Sequence, residues 1–413
     1  MIAFWIAVAL SGVGLVQLLA AVALVARFAR AKSRSAYQTR PCPLTLPADT
    51  PPPVSVLKPL HGDEPLLEEA LASVFKQDYA AIQIVFGVQD AADSALPVVR
   101  RLQARFPDHD TAVVVDATDH GLNRKIANLM NMLPAAKHDL LVIADSDVHA
   151  APDWLGRLVA ALSAPGVGLV TTIYTGLPFF LARAVGRSTA SAPAILPCST
   201  ARGDRTLSRR LPALLGALQI NQYFLPGALL ARALGRQDCL GATMMLRRQT
   251  LDRVGGLRAL VDHLADDNVL GRLVQRLGLA VALADTVPAT TVPEASLGAL
   301  WRHELRWART IRALVPGQFA ASVLQYPLAW ATFGILLADG APASLLWLGI
   351  VWGVRALASY GIDRALALAA RSPLWLLPLR ELLSLAVMVT SYAGRKVDWR
   401  GHKLEAEGFD PRW

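Results

Sequence analysis

The sequence predicts an α/β domain with a mostly parallel sheet, flanked by membrane helices. Two patterns support this prediction. Short apolar strands alternate with amphipathic helices from Val54 onward, and long uncharged stretches occupy both end regions of the 413 residues. Strands that alternate with helices need crossover connections, which are right-handed and give a parallel sheet covered on both faces. Hydrophobic residues make up 54% of the chain, more than is typical of a water-soluble enzyme.

The N-terminal segment 2–25 has no charged residue and exceeds the roughly 20 residues that a helix needs to span a bilayer. Basic residues follow at once: Arg27, Arg30, Lys32 and Arg34. A cleavable signal would carry its positive charge before the apolar stretch. We therefore expect 1–28 to be a retained anchor whose basic flank faces the cytoplasm. Residues 29–53 are rich in Pro, Ser, Thr and Arg and predict a linker.

The alternating pattern runs over 54–315, which we interpret as one cytoplasmic domain. The predicted strands are 54–57, 82–88, 112–115, 140–144, 168–172 and 241–246. The predicted helices are 64–75, 96–106, 125–133, 264–275 and 297–315. Apolar residues at helical spacing or in short uninterrupted runs distinguish the two kinds of element. The segment 177–235 mixes apolar runs with arginines, which suits either a membrane surface or core helices with solvated arginines.

Apolar segments return near the end of the chain. Residues 317–338 are uncharged and 340–360 contain one charge, so both predict membrane helices. Residues 373–394 include Arg380 and Glu381, which would be costly facing lipid.

A further crossing by 373–394 would place the basic residues that begin the tail, 395–413, outside the cytoplasm. The positive-inside tendency opposes that arrangement. We therefore expect 373–394 to be re-entrant or interfacial.

The net charge of +9 does not indicate nucleic acid as a partner. Much of the excess flanks apolar segments, where anionic lipid is the expected partner. No helix-turn-helix, RNP or zinc-finger pattern is present. Cys42, Cys198 and Cys239 are far apart and lack a C-x-x-C spacing, which argues against a disulfide framework or a zinc site. No Gly-rich dinucleotide or Walker A motif follows the first strand.

Acidic residues occupy three equivalent places in the domain. Asp90 follows the second predicted strand, Asp145 and Asp147 follow the fourth, and Asp266-Asp267 opens a helix. Ligands of open α/β sheets bind beyond the carboxyl ends of strands, so the first two places should face one crevice. Two carboxylates there suit Mg²⁺ or Mn²⁺ carrying a diphosphate. For the pair that opens the helix, capping is the competing interpretation.

These motifs resemble those of inverting, processive-like glycosyltransferases of the GT-A fold (families 2 and 21), with the pattern D, D-x-D, D, (Q/R)-x-x-R-W. More narrowly, the chain is similar to ceramide glucosyltransferases and their bacterial relatives, including hopanoid-biosynthesis glycosyltransferases (HpnI type). The matching segments are 54–60, 88–90, 121–129, 145–147, 241–243, 255–256, 265–267 and 303–307. The resemblance covers about residues 54–312 and implies a GT-A domain.

The resemblance implies a role for each acidic position and for one lysine. Asp90 would bind the uridine of a UDP-sugar, and Asp145 would face ribose or sugar. Asp147 would hold Mg²⁺ or Mn²⁺ on the diphosphate. Asp267 would be the general base that deprotonates the acceptor hydroxyl. Lys125 would stand near the uracil or the phosphates, with a solvated helix lysine as the alternative.

The resemblance also implies roles around the final motif. Arg306 would meet the diphosphate, and Trp307 would line the acceptor pocket unless it is a core or membrane-interface aromatic. His303 stands where the family usually has Gln or Arg, and it can still donate a hydrogen bond to diphosphate. Asp266 stands where relatives often have Glu, so acidity at the donor and acceptor site is kept.

The implied activity is transfer of a sugar from UDP to a membrane lipid hydroxyl, at the cytoplasmic face of a bacterial inner membrane. The Ala-, Arg- and Leu-rich composition suggests a bacterium of high genomic GC, which favours N-acetylglucosamine transfer to bacteriohopanetetrol. Glucose transfer to ceramide is the alternative, and a polysaccharide synthase ranks third because four or fewer membrane segments are few for a channel. A transporter is disfavoured because no inverted repeat is visible. The acceptor should enter near 177–235 and the helix that contains Arg306 and Trp307.

Overall fold

The computed structural model describes residues 2–35, 51–181, 207–368, 371–399 and 402–405. Most of the predicted linker, much of the predicted tail and the arginine-rich stretch 182–206 lie outside the described residues. The chain forms two compact units. We call them the sheet unit (Ala31–Thr175 and Gly235–Thr291) and the helical unit (Met1–Arg30, Gly176–Leu234 and Val292–Trp413).

The described part of the chain contains twelve strands. They are β1 Val54–Pro59, β2 Ile82–Val88, β3 Asp110–Val115, β4 Leu140–Ala144, β5 Val148–His149, β6 Val167–Thr171, β7 Thr175–Pro178, β8 Thr243–Arg247, β9 Ala280–Leu283, β10 Ala289–Val292, β11 Lys396–Trp399 and β12 His402–Glu405. All six predicted strands are confirmed. The other six, which are β5, β7, β9, β10, β11 and β12, were not predicted, because two to four residues are too few to show a period.

The described helices number fourteen. They are α1 Ile2–Ser35, α2 Leu67–Phe75, α3 Ala95–Arg105, α4 Arg124–Met132, α5 Trp154–Leu162, α6 Leu207–Gln219, α7 Leu225–Ala233, α8 Arg248–Arg253, α9 Asp266–Arg276, α10 Leu297–Leu314, α11 Pro316–Ala321, α12 Pro327–Leu337, α13 Pro342–Ala365 and α14 Leu377–Ser391. The predicted amphipathic helices correspond to α2, α3, α4, α9 and α10.

The sheet unit is built on a seven-stranded sheet with the order β3-β2-β1-β4-β8-β6-β9. Strand β1 pairs in parallel with β2 and β4, so that Val54 lies opposite both Ile82 and Leu140. Strand β8 is antiparallel to its neighbours β4 and β6. Both central strands β1 and β4 are buried almost throughout, as expected where helices cover both faces of a parallel sheet. The prediction of a mostly parallel α/β sheet is confirmed.

The helical unit contains most of the apolar helices. Within the described residues, three segments are long and apolar enough to cross a membrane: Ile2–Ser33, Pro342–Ala365 and Leu374–Ser391. The segment 317–338, predicted as one helix, consists instead of Pro316–Gln325 and Pro327–Leu337, bent by 66°. Proline at the start of the second part has no N–H for the helix ladder and its ring crowds the preceding turn, which explains the break.

The charges of α14 do not face outward. Arg380 and Glu381 have no exposed surface. Arg380 pairs with Glu304 of α10, and Glu381 pairs with Arg355 of α13. The cost that argued against a spanning segment over 373–394 is therefore offset by pairing inside the helical unit. That 373–394 is re-entrant or interfacial stays a prediction.

Candidate active site

The candidate site of the sheet unit forms at the carboxyl ends of β2, β1 and β4. Asp90 follows β2, Lys58 lies near the end of β1, and Asp145 and Asp147 follow β4. The Lys58 side chain is fully buried, and its Nζ donates to the backbone oxygen of Asp145 at 2.7 Å. A buried lysine beneath the D-x-D segment fixes the turn that presents both carboxylates.

Lys125 joins the carboxylates that the sequence left separate. Its Nζ lies 2.6 Å from Asp145 Oδ1 and 3.9 Å from Asp266 Oδ2. Burial alone would lower the pKa of Lys125, but the two carboxylates outweigh burial and raise it. The ammonium therefore stays charged and bridges the D-x-D segment to the start of α9, where an exposed lysine had been the alternative interpretation.

Asn123 organises both sides of this bridge. Its Oδ1 caps α4 by accepting from the backbone N–H of Ile126 at 3.1 Å. Its Nδ2 donates to Asp266 Oδ1 at 3.1 Å and to the backbone oxygen of His263 at 2.8 Å. One side chain thus fixes the helix that holds Lys125 and the carboxylate that Lys125 meets.

The surroundings of Asp267 differ from those of the adjacent Asp266. Burial and the adjacent Asp266 carboxylate raise the pKa of Asp267 to about 7, and Lys125 opposes this shift. Its Oδ1 accepts from the backbone N–H of Asn268 at 2.7 Å. A carboxyl group with a pKa near the working pH is well suited to general base catalysis. Burial also raises the pKa of Asp266, but Lys125 and the hydrogen bond from Asn123 oppose that rise and hold the side chain, so Asp266 is better suited to a structural role.

Asp147 lies among like charges. Burial together with the carboxylates of Asp145 and Glu64 raises the pKa of Asp147 to about 7, against the attraction of Lys58. Burial lowers the pKa of Lys58 to about 8. Glu64 is held in place, since its Oε2 accepts from Ser146 Oγ at 2.8 Å.

These carboxylates fit a hard divalent cation. Mg²⁺ and Mn²⁺ prefer oxygen donors, commonly one or two carboxylates with substrate phosphates. A cation bound at Asp147 would relieve the repulsion from Asp145 and Glu64 that disfavours its charged form. Among the residues that the structure describes, no three His, Cys, Asp or Glu side chains are arranged as a complete metal site.

The final motif lies on α10 in the helical unit. Nδ1 of His303 makes a short contact with Oε1 of Glu294, a buried carboxylate. The His303 ring meets the Trp307 ring edge-on, with centroids 4.6 Å apart, as expected for residues four apart on a helix. Phe224 packs near the same indole at 6.5 Å. Trp307 is therefore part of an aromatic cluster, and Glu294 orients the histidine that replaces the usual Gln or Arg.

Comparison with known proteins identifies the family. The model of glycosyl transferase family 21 matches residues 15–183 and 198–408. The chain belongs to this family. Ceramide glucosyltransferase 1 of Caenorhabditis elegans is 24% identical to it over 71% of this chain and 56% of the relative. An N-acetylglucosaminyltransferase of Sinorhizobium fredii is 26% identical over 63% of this chain and 57% of the relative.

The family 21 chain therefore spans little more than half the length of these curated relatives. The solved mannosyltransferase PcManGT from Pyrobaculum calidifontis, in complex with GDP-Man and Mn²⁺, is similar with a TM-score of 0.46 and 18% identity. That match covers 93% of this chain and 99% of the mannosyltransferase. The seven-stranded sheet, with its carboxylates at one edge, agrees with the mostly parallel α/β fold that the sequence predicted.

The structure places most of the predicted site residues of this family 21 chain together. Within the sheet unit, the D-x-D segment, Lys125 and the Asp266-Asp267 pair form one connected cluster. Asp90 lies at the same sheet edge, two strands away from β4, with Oδ1 accepting from the backbone N–H of Ala92 at 2.8 Å. The roles proposed for all these residues stay predictions.

Four residues of the cluster were not predicted as site residues: Lys58, Glu64, Asn123 and Tyr174. The Tyr174 hydroxyl is held neutral because burial and the carboxylates of Asp267, Asp145 and Asp147 raise its pKa. A charged residue inside the apolar run of β1 was the available signal for Lys58, and an Asn at a helix start was the signal for Asn123. Neither Glu64 nor Tyr174 carries such a signal, because only the fold brings them to the carboxylates.

Proposed function

We propose that this chain is an inverting glycosyltransferase that moves a sugar from a UDP-sugar to a hydroxyl group of a membrane lipid. The observation that supports it most strongly is the pair of environments at the start of α9. Burial raises the pKa of both carboxyl groups. Asp266 accepts a hydrogen bond from Asn123 and lies 3.9 Å from Lys125, and both contacts oppose the rise of its pKa, whereas burial and Asp266 raise the pKa of Asp267 to about 7. Two adjacent carboxylates with different environments give one structural acid and one general base.

In this proposal Asp267 accepts the proton of the acceptor hydroxyl as that oxygen attacks the anomeric carbon. Direct displacement gives a β-linkage from an α-linked donor. Positioned base catalysis contributes about 10²–10⁴-fold. Asp90 binds uridine, and Asp145, held by Lys125 at 2.6 Å, faces ribose or sugar.

The leaving diphosphate needs positive charge. Asp147 is the residue that would hold Mg²⁺ or Mn²⁺, which neutralises charge developing on the leaving phosphate when bound. Arg306 and His303 are proposed to donate to the diphosphate, with Glu294 setting the orientation of His303. Trp307 is proposed to line the acceptor pocket.

The proposed donor and acceptor are UDP-N-acetylglucosamine and bacteriohopanetetrol, with catalysis at the cytoplasmic face of a bacterial inner membrane. The similarity to a bacterial relative named N-acetylglucosaminyltransferase supports the sugar. The three apolar helices among the described residues support a membrane-borne acceptor. The alternative, glucose transfer to ceramide, is favoured by the similarity to ceramide glucosyltransferase 1 of Caenorhabditis elegans.

One product analysis tests the proposal. Membranes that contain the protein are incubated with UDP-N-acetylglucosamine or UDP-glucose, each with bacteriohopanetetrol or ceramide, and products are identified by mass. We expect a mass increase of one N-acetylhexosamine on bacteriohopanetetrol, absent in the Asp267→Asn variant. A glucosylated ceramide would favour the alternative. Absence of transfer in all four combinations would contradict both.

A further inference from the structure

A charged residue interrupts the buried stripe of α10. The buried residues of this helix are Leu300, Glu304 and Ala308, which follow one another at intervals of four along one face. An apolar side chain would suit the middle position. Burying a carboxylate is costly unless it is paired and hydrogen-bonded. Glu304 is only 8% exposed, so its presence in the stripe calls for a physical reason.

Arg380 of α14 is the partner of this buried carboxylate. Its two terminal nitrogens donate to the two oxygens of Glu304, at 2.6 and 2.7 Å. The same guanidinium donates to the backbone oxygen of Leu215 in α6 and to Ser384 Oγ, both at 3.2 Å. A bidentate pair between an arginine and a carboxylate fixes direction as well as distance. The pair therefore fixes the rotation of α10 about its own axis.

Glu304 lies inside the segment that forms the final motif. Successive residues of a helix are about 100° apart, so Arg306 projects about 160° away from Glu304 on the opposite side. His303 and Trp307 lie between these two directions and contact each other. A helix held at Glu304 consequently has a defined direction for Arg306, and a rotation of the helix would displace all three motif side chains together.

Stability alone does not account for the pair. Replacing a buried ion pair by apolar residues of similar volume is often neutral or stabilising. We infer that Arg380 and Glu304 are positioning residues for sugar transfer, whose bidentate pair holds α10 at one rotation and so sets the direction of Arg306, the residue that the proposed function assigns to the donor diphosphate. This inference rests on the proposed function. The inference also explains why the apolar segment 373–394 contains Arg380.

The test compares two double variants of the full chain. Arg380→Met with Glu304→Gln removes the ion pair without leaving a buried unpaired charge. The matched control is Arg355→Met with Glu381→Gln, which removes the other buried ion pair of α14, between side chains that are at most 1% exposed. The control pair joins α14 to α13 and leaves the contact between Glu304 and Arg380 in place.

We expect both double variants to fold, with similar thermal unfolding in detergent. The Arg380 and Glu304 variant should lose about 10–100-fold in kcat, because a displacement of about 1 Å costs on that order. The control should stay within about twofold of the wild type in kcat, since α10 keeps its anchor. Arg380→Lys, which keeps the charge but loses the bidentate geometry, should lose nearly as much as the double variant.

Three results would overturn the inference. These are full turnover in the folded double variant, full turnover in Arg380→Lys, or an equal loss in the control, which would indicate a general need for an intact helical unit. Failure of the proposed function is a separate result, because the wild-type protein itself would then transfer no sugar from any UDP-sugar to a lipid.

Discussion

Asp267→Asn should make the protein inactive and more stable in one step. In the folded protein the Asp267 carboxyl group holds its proton up to about pH 7, whereas the ordinary pKa is 3.8. The folded state thus binds a proton that the unfolded chain has already released. Wild-type stability should therefore fall as pH rises from about 4 to about 7.

The size of the effect follows from the difference between these pKa values. A difference of about three pKa units corresponds to about 4 kcal/mol. This is the largest amount by which an uncharged side chain at position 267 could raise the free energy of unfolding above pH 7. Asparagine keeps an oxygen for the backbone N–H of Asn268, the donor now 2.7 Å away. It removes an attractive partner of Lys125, so we expect a net gain of about 1–4 kcal/mol at pH 8.

Thermal unfolding of wild type and variant at pH 5 and pH 8 measures this difference. The variant's advantage should grow between these two pH values, while transfer activity falls by about 10²–10⁴-fold. Equal pH dependence of the two proteins would refute the electrostatic reasoning. Full turnover in the variant would place the base elsewhere, with Asp266 as the first alternative.

Four further outcomes can be measured. Gly241→Ala would place a Cβ 3.0 Å from Asp267 Oδ2, so turnover should fall about tenfold in steady-state assays while donor affinity is kept. Lys125→Met leaves Asp145 and Asp266 without their shared cation, and the activity of membranes should drop by about 10²-fold or more. The wild-type kcat/KM should rise with pH around an apparent pKa of about 7, because the base must lose its proton, and a flat profile would count against Asp267. Chelation with EDTA should abolish transfer and added Mn²⁺ should restore it, whereas chelator-resistant transfer would argue against a metal at the D-x-D segment.

The six longer strands were predictable because each contains a short, mainly apolar run bounded by turns, as in β2 and β4. That the carboxyl ends of β2 and β4 lie at one edge of the sheet was also predictable, because strands that alternate with helices form a parallel sheet. The bridge made by Lys125 was not, because its partners lie 20 and 141 positions further along the chain and only the folded sheet brings them together. Local sequence patterns cannot specify contacts of that separation.

The apolar C-terminal region shows the same limit. An uncharged run predicted one helix over 317–338, although the proline at 327 provided a local signal for a break. The two charges within 373–394 predicted a segment that does not cross the lipid, because the sequence does not show which residues of other helices lie next to them. The structure provides Glu304 and Arg355 instead, and both are side chains of other helices.

The reversed direction of β8 has a consequence for mutagenesis. Because β8 is antiparallel to β4, its first residues, and not its last, meet the end of the D-x-D strand. The backbone oxygen of Ala242 accepts from the N–H of Asp145 at 3.1 Å, and that of Gly241 lies 3.5 Å from Lys125 Nζ. Part of the site is therefore main chain. An alanine scan leaves Ala242 unchanged and adds a group at Gly241, so a map of side-chain effects would undercount the atoms that hold the carboxylates.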